Sequence, residues 1–446
     1  MFPSALMPIF LEFSRYFSKP TYLRFLLLAA SSILTVGRRT ISNLVRTAGC
    51  LAQGHPSSYN RFLSKRRWSL WPLSRVLIAF ILKHYLPAGP VPVVIDDTVS
   101  EHRGKKVYGK ARHRDGIRSS SSYTAFRWGH KWVVLCILVK LPLARRAWAL
   151  PIEVALYRSE ELNRKLGRRH KTPPQLARGL LAMLMHWFPD RKFILAGDGG
   201  FSTHDLAWFV FRHSSRATLV GRFYPKANLY APPPQRKPRQ NGRPRKRGRK
   251  LSAPQDVVKR SQRRRLRVRW YGGGKRLVEV VSGVGWWYKA GKALVYVRWV
   301  FVHDLEGAHQ DGYFFSTDAT MTPQEIVEIF TGRWSIEVTF QEVRAYLGLD
   351  TTRGWSQRTV LRAAPGLFGL YTIVALAWDA LMAGKTRKAS TKPTQNPDAT
   401  FSDAITAVRR HLWRDWVFQR AGHAAAFQKL PRQFCELIMC ALAPAA

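Results

Sequence analysis

The sequence predicts an α/β protein in which a mixed sheet is flanked by helices, with a helical domain before the sheet and helices after it. Short runs rich in Val, Ile and aromatic residues predict strands, and segments with apolar residues three and four positions apart predict helices. These patterns follow each other in the order β-β-β-α-β-α between Val91 and about His213. The four predicted strands cover 91–97, 126–142, 148–157 and 191–198.

Residues 1 to about 90 precede this alternation and carry the helical spacing. Basic residues such as Arg38, Arg61 and Lys65 lie among the apolar positions. We predict a helical domain that binds DNA. A pair of basic helices whose charged sides simply face solvent is the alternative.

The helix after the third predicted strand has clear start signals. Thr172 suits the N-cap, Pro173 suits the first helical position, and Gln175 completes a capping box. The helix should therefore run to about Phe188. A further helix is predicted from about Thr203 to His213, directly after the fourth strand.

This order of elements resembles the ribonuclease H-like fold. We place the first part of such a domain at 91–223 and its second part at 303–382. Residues 224–302 are predicted to interrupt it as a basic loop and a β-rich insertion, and 383–446 should form a linker and C-terminal helices. The predicted strands of the insertion are 265–271, 276–283 and 293–302.

The insertion begins with a basic, proline-rich loop at 232–250, which is too polar to pack against a core. The side chains predicted to bind DNA here are those of Arg243, Arg245, Lys246 and Arg247. An arm that contacts phosphates without sequence preference is favoured. Residues 242–245 also resemble the core of an AT-hook, which would read the minor groove.

The charge of the chain restricts its partners. Lys and Arg total 73 against 27 acidic residues, which gives a formal net charge of +46. This excess predicts binding to double-stranded DNA; a basic protein on a membrane surface would need a long amphipathic helix with a basic face. The four cysteines form no disulfide or metal pattern. We therefore expect a cytoplasmic, nucleoid-associated protein with no membrane partner.

A second well-specified helix should run over roughly 323–347, because Thr322, Pro323 and Glu325 form its capping signals and Gly348 is placed to end it. At 100° per residue, Arg333, Arg344 and Phe330 share a narrow arc with Glu337, beside an apolar stripe. A solvated surface pair between Arg333 and Glu337 is the alternative.

Two further acidic residues lie at predicted strand ends. Asp97 follows the apolar run at 93–95, and Asp198 precedes Gly199 and Gly200. Carboxylates in such positions are costly without a partner, and together with Glu337 they would bind two Mg²⁺ ions. Two ions suit phosphodiester hydrolysis and transesterification. Asp96 is the alternative to Asp97, since neighbours on a strand point to opposite faces.

The chain resembles the bacterial insertion-sequence transposases of the DDE class, in the branch with a Tyr-x2-Arg-x3-Glu-x6-Lys signature. That signature, with all three spacings kept, is here Phe330, Arg333, Glu337 and Arg344. Phe replaces Tyr, so a hydroxyl is lost, and Arg replaces Lys, so the charge is retained. In that family the first acid directly precedes a Thr, as Asp97 does, and the second ends a strand, as Asp198 does.

The resemblance implies Asp97, Asp198 and Glu337 as catalytic, metal-binding residues, with Mn²⁺ able to replace Mg²⁺. It also implies metal-dependent cleavage at transposon ends and 3′-hydroxyl strand transfer into target DNA, by a homodimer in the synaptic complex. A catalytically inactive or domesticated DNA-binding relative is the alternative. The signature residues expected at the DNA are Phe330, Arg333, Trp334 and Arg344, with a core role as the alternative for Trp334.

Overall fold

The computed structural model describes residues 2–115, 119–120, 122–142, 144–235, 245–307, 309–386 and 399–444. Its N-terminal part is helical, as the sequence predicts. The five helices there are α1 (Met7–Ser14), α2 (Lys19–Leu34), α3 (Ile41–Ala48), α4 (Ser57–Ser64) and α5 (Leu70–Tyr85).

One mixed sheet of eleven strands follows in the described residues. The strands of its first half are β1 (Val91–Glu101), β2 (Ala111–Arg114), β3 (Phe126–Val139), β4 (Trp148–Tyr157), β5 (Phe193–Gly197) and β6 (Ala217–Arg222). Those of its second half are β7 (Leu229–Tyr230), β8 (Arg264–Arg269), β9 (Lys275–Trp287), β10 (Val295–Asp304) and β11 (Gly312–Ser316).

The sheet has the order β2-β3-β1-β5-β6-β11-β10-β9-β7, with β4 also paired to β3 and β8 to β9. Within it, β4, β3 and β1 pair in antiparallel fashion, whereas β1, β5 and β6 are parallel. This five-strand unit, β4-β3-β1-β5-β6, has the ribonuclease H-like arrangement and confirms the predicted fold class. The sequence analysis missed β6, the strand that completes the parallel part of the unit.

The sheet is flanked by helices and followed by more of them. Those beside the sheet are α6 (Glu160–Lys165), α7 (Pro173–Trp187), α8 (His204–Arg212), α9 (Pro254–Arg260), α10 (Pro323–Gly332) and α11 (Ser335–Leu347). The remaining ones are α12 (Gln357–Thr386), α13 (Phe401–Leu412), α14 (Ala424–Gln428) and α15 (Arg432–Leu442). Both predicted capping boxes, at Thr172 and Thr322, are present.

The prediction of one helix over 323–347 was wrong, because the chain makes two helices with a tight turn between them. The backbone N–H groups of Arg333 and Trp334 donate to carbonyls three residues back, at 3.2 Å each. This turn separates α10 from α11, so a uniform 100° per residue does not relate Phe330 to Glu337. Gly348 ends α11 in a left-handed conformation, with φ of 67°.

Strands β7 to β10 lie within the predicted insertion, and they continue the same sheet instead of forming a separate one. β10 pairs with β11, and β11 pairs with β6, at the edge of the ribonuclease H-like unit. Hydrogen bonds therefore connect the predicted insertion to the strands that carry the acidic residues. The domain boundaries drawn from the sequence stay a prediction.

Helix α12 is the one helix in the described ranges that is long and apolar enough to cross a membrane, over Gln357–Ala383. Of its most apolar window, 72% is buried inside the protein. It packs against β4, α13 and the N-terminal helices. A core helix of this kind passes the same length and composition test, so the finding is weak support for a membrane span.

Arg362 connects α12 to the N-terminal helical part. Its guanidinium donates to the carbonyl oxygens of Leu63, Arg66 and Trp68 at 2.8, 2.8 and 2.6 Å, and lies 4.5 Å from the Trp68 ring centroid. Only 8% of the residue is exposed. The Leu63 carbonyl lies in the last turn of α4 and the other two follow the helix, where the carbonyls at a helix end have no hydrogen-bond partner within the helix.

We predict that Arg362→Leu destabilises the protein by about 3 kcal/mol, because several buried carbonyls lose a charged donor at once. Urea denaturation would measure the change. The matched control is Arg358→Leu, since Arg358 is exposed and donates only to the Lys65 carbonyl, at 2.9 Å; it should cost less than about 1 kcal/mol. Equal losses in the two variants would contradict this role for Arg362.

Candidate active site

The acidic residues lie where two parallel strands stop pairing. The last pair in the register of β1 and β5 joins Ile95 to Gly197. Asp96 is the next residue along β1, and Asp198 directly follows β5. Because parallel strands present equivalent residues at the same edge, this register places the two carboxylates near each other.

An arginine links Glu337 on α11 to β1. The Arg333 side chain donates one hydrogen bond to Asp96 Oδ2 at 2.7 Å and another to Glu337 Oε1 at 2.9 Å. The Arg333 side chain is 10% exposed and that of Glu337 is 42% exposed. The Arg333–Glu337 pair is therefore part of a half-buried network and not a solvated pair on a helix surface.

Helix α11 crosses one face of β1. Asp96 and Thr98 share that face, since alternate residues of a strand point the same way. Arg344 of α11 donates to the Thr98 hydroxyl and, at 3.1 Å, to the Val99 carbonyl. Two arginines, one before α11 and one within it, thus bind the Asp96 face of the strand.

Asp97 points to the opposite face of β1. Its carboxylate pairs with Lys131 of β3, whose Nζ lies 3.1 Å from Asp97 Oδ1. Lys131 stands opposite Val99 in the register, which puts it on the Asp97 side of the sheet. The structure therefore brings Asp96, the alternative weighed in the sequence, to Glu337, and pairs Asp97 with a lysine.

Backbone donors orient Asp198. Its Oδ1 accepts hydrogen bonds from the N–H groups of Gly200 at 2.9 Å and Phe201 at 3.2 Å. A Cβ atom at Gly200 would lie 3.2 Å from the same oxygen, closer than ordinary contacts. A glycine at position 200 thus leaves room for the carboxylate at the end of β5.

Burial and mutual repulsion disfavour negative charge at these acids. Burial raises the pKa of Asp96 to about 7, and the charge of Asp198 adds to the rise while Arg333 opposes it. Burial likewise raises the pKa of Asp97, with Lys131 acting in the opposite sense and Asp198 in the same sense. Arg333 and Lys131 therefore offset only part of the cost of placing negative charge on Asp96 and Asp97.

The other signature residues lie in different environments. Phe330 is 2% exposed, and its ring packs on Phe314 with centroids 4.3 Å apart. The prediction that Phe330 meets DNA is corrected here, because a ring enclosed in the core offers no surface to a duplex. Trp334 is 36% exposed and is the residue directly before α11. Arg344 is bound to β1 and lies 3.7 Å from Asp350.

Of the loop residues predicted to bind DNA, Arg243 lies outside the described residues. Arg245 and Lys246 are exposed. Arg247 packs on the rings of Tyr230 and Tyr288, 4.7 and 4.4 Å from their centroids. Arg247 thus attaches this end of the loop to the sheet.

Two residues close to the acids, Lys131 and Tyr271, were not predicted from the sequence. Lys131 gave no motif signal, although its place on a strand predicted beside β1 could have indicated it. Tyr271, in the turn between β8 and β9, has a pKa raised by burial and influenced by the charges of Arg333 and Glu337. Its position depends on how the predicted insertion folds back, which no local pattern specifies.

Carboxylates at this edge match the oxygen ligands that Mg²⁺ prefers, and a cation there would offset the burial and the repulsion from Asp198 that raise the pKa of Asp96. In the ranges that the structure describes, no three His, Cys, Asp or Glu side chains are grouped closely enough to hold a metal ion. Arg333 and Lys131 supply the counter-charges instead. The carboxylate oxygens are suitable ligands for a divalent cation. To bind one, the acids would have to leave their ion pairs with Arg333 and Lys131.

Two family models match the chain. The model described as DDE superfamily endonuclease matches residues 12–277, and the model described as archaeal putative transposase ISC1217 matches residues 292–380. The comparison with curated proteins gave no match. Among solved structures, the chain is similar to piggyBac transposase in a synaptic complex with hairpin DNA, with 11% identity, a TM-score of 0.44, and coverage of 99% of this chain and 81% of that one. That similarity is too distant to transfer fold or function.

We predict that the metal-free protein loses stability relative to its Asp96→Asn variant as the pH rises from 4 to 7. Because the pKa of Asp96 is about 7 in the folded state against 3.8 ordinarily, the folded protein holds a proton there that the unfolded chain has released. The relative loss should reach about 4 kcal/mol and level off above pH 7. Urea denaturation in EDTA across this range would measure it.

Asp205→Asn is the control for that experiment. A hydrogen bond from Lys292 lowers the pKa of Asp205, so its contribution to stability is lost as the pH falls. The two variants should therefore change the pH dependence in opposite directions. A pH dependence unaffected by Asp96→Asn would show that this carboxyl is not held protonated.

Proposed function

The chain belongs to the DDE superfamily of endonucleases, and we propose that it is a transposase that cleaves DNA at transposon ends and joins the 3′-hydroxyl to target DNA. The observation that carries the proposal is that Arg333 joins Asp96 to Glu337 at the point where β1 stops pairing with β5, with Asp198 as the residue that follows β5. Acids at that edge of a mixed sheet suit metal-dependent phosphodiester chemistry.

We propose Asp198 and Glu337 as two catalytic, metal-binding acids and Asp96 as the third, because it shares Arg333 with Glu337. The sequence motif predicts Asp97, in place of Asp96, as the first acid of the set. Two Mg²⁺ ions, or Mn²⁺ in their place, would lower the pKa of the attacking hydroxyl and stabilise the leaving oxygen.

The chain's own residues contribute orientation and charge. The N–H groups of Gly200 and Phe201 hold the Asp198 carboxylate at the end of β5. Arg333 keeps Asp96 and Glu337 together on the same face of the sheet. A guanidinium there can also donate to a phosphate, so we propose that Arg333 contacts the DNA backbone once the acids release it.

Double-stranded DNA is the proposed substrate, as transposon terminal inverted repeats and as target. A net charge of +46 favours a polyanion, because phosphate contacts release condensed counterions. Arg245 and Lys246 of the basic loop and the exposed face of Trp334 are the proposed contacts. Two DNA ends must be held together for strand transfer, so we further propose a homodimer acting at the nucleoid.

Our first functional prediction concerns the acids. Asp198→Asn and Glu337→Gln should each reduce Mg²⁺-dependent cleavage of an end-containing duplex at least about 100-fold, because negative charge that holds the metal is lost. Duplex binding, measured by fluorescence anisotropy in EDTA, should change less than about twofold, since the basic surface is intact. Binding without cleavage in the unaltered protein would favour an inactive relative.

The same assay separates the two candidates for the first acid. Asp96→Asn should abolish cleavage, whereas Asp97→Asn should retain most of it because Asp97 faces Lys131. The reverse pattern would restore the assignment made from the motif. Equal loss in both variants would assign a role to each of the adjacent acids.

A second prediction concerns the basic loop. Replacing Arg245, Lys246 and Arg249 by Gln should weaken duplex binding and lower the slope of log affinity against log salt by up to about 3, because each lost phosphate contact removes roughly 0.9. The charge-matched control replaces Arg168, Arg169 and Lys171, which are also exposed. If both triple variants change the slope equally, the loop is not a specific phosphate-binding element.

A further inference from the structure

The edge of the sheet next to β1 carries exposed aromatic rings beside cations. Phe126 and Trp128, at the start of β3, are 50% and 56% exposed. The Arg112 guanidinium lies 4.0 Å from the Phe126 ring centroid, and the Lys110 ammonium lies 5.4 Å from that of Trp128. We call these four residues the aromatic–basic strip.

Strand register places the strip on one face of the sheet. Arg112 stands opposite Trp128 in the pairing of β2 with β3. Further along β3, Trp132 stands opposite Thr98 of β1 and its indole donates to the Ser100 hydroxyl at 2.9 Å. Since every second residue shares a face, Trp128 and Phe126 lie on the face of Thr98 and Asp96.

This is also the face that α11 crosses with Glu337. Trp128 is six residues along β3 from Val134, the partner of Asp96, which corresponds to about 20 Å at 3.3 Å per residue. Trp132 lies between the two and is fully buried, so the rings of this face become exposed only towards the start of β3. The strip is therefore an accessible extension of the site's own face.

Core packing does not explain why Phe126 and Trp128, two residues apart on the same face of β3, both leave a large ring exposed. Exposed apolar patches of this kind mark interaction surfaces. Flat rings bind nucleobases by stacking, and neighbouring cations bind the phosphates between those bases. Paired bases in a duplex keep their faces stacked on each other, so stacking on the strip requires unpaired bases.

A protein partner fits the strip less well. Both side chains beside the rings, Lys110 and Arg112, are cationic, so a basic protein surface docked on the strip would meet like charges there. Arg127, which pairs with Asp115 at 2.9 Å, alternates onto the opposite face of β3. The Asp115 carboxylate therefore does not neutralise the positive charge of the strip for an incoming basic protein.

We propose that the aromatic–basic strip binds unpaired bases of the DNA strand adjoining the active site. The proposal rests on the proposed function, because a cleavage site on DNA is what supplies unpaired nucleotides nearby. Single-stranded DNA is then a second ligand of the protein. Its bases stack on Trp128 and Phe126, and its phosphates contact Arg112 and Lys110.

The test compares two probes with the full-length protein in EDTA. One is a blunt duplex of roughly 20 base pairs, and the other is the same duplex with a tail of about six thymidines, within the range a single-strand site covers. Fluorescence anisotropy gives the affinity for each. The variants are Trp128→Ala, Phe126→Ala and the conservative Trp128→Tyr.

The matched control is Trp208→Ala. Trp208 on α8 is 36% exposed and has Arg212 5.1 Å from its ring centroid, so it is another exposed tryptophan with a cationic neighbour. The tail should strengthen binding in the unaltered protein and in Trp208→Ala. Trp128→Ala should reduce this advantage about fivefold or more, the equivalent of one lost stacked base, and Trp128→Tyr should retain most of it.

Three outcomes would overturn the proposal: an unchanged tail advantage in Trp128→Ala and Phe126→Ala, an equal loss on the blunt duplex, or an equal loss in Trp208→Ala. A change in self-association by sedimentation, without a change in tail binding, would make the strip a protein interface and overturn it too. Because binding is measured without cleavage, a protein that prefers the tail but never cuts DNA would contradict only the proposed function.

Discussion

The buried region where β1 stops pairing with β5 holds more negative charge than it can stabilise alone, and the surrounding structure follows from this constraint. Asp96 and Asp198 each follow the last residue pair of β1 and β5, and Asp97 comes next on β1 with its side chain on the opposite face. Arg333 and Lys131 approach from the two faces of the sheet and supply positive charge. Even so, burial keeps the pKa of Asp96 near 7. An edge of this kind gains from binding a cation.

The rest of the fold holds that edge in place. β3 covers one side of β1, while β5 and β6 extend the other side in parallel. Helix α11 docks across β1 through Arg344 and Thr98, which sets the position of Glu337 relative to the strand. The strands of the predicted insertion then continue the sheet through β11, so Tyr271 reaches the surroundings of Arg333. The insertion is thereby part of the site's environment.

The high positive charge has two structural uses. Some arginines connect segments inside the protein: Arg362 donates to carbonyls at the end of α4, and Arg409 of α13 donates to the Ile33 carbonyl at 2.8 Å. Others, including Arg245 and Arg112, are exposed and free to meet phosphates. The net charge alone cannot separate the two groups, because a buried guanidinium and an exposed one count equally in composition.

Local patterns in the sequence determined strands β1, β3, β4 and β5, both capping boxes and the strand-end position of Asp198, because caps and hydrophobic periodicity act over a few residues, whereas the short β2 and α6 were not predicted. The signature spacing also identified Glu337 and Arg333 as neighbours. Tertiary structure decided the rest: that β6 completes the parallel strands, that 323–347 turns at Arg333, that Phe330 is enclosed, and that Asp96 is the acid beside Glu337. Which face of a strand meets a distant helix depends on contacts between segments more than 200 positions apart, such as the one joining Arg333 to Asp96, and these leave no local pattern in the chain.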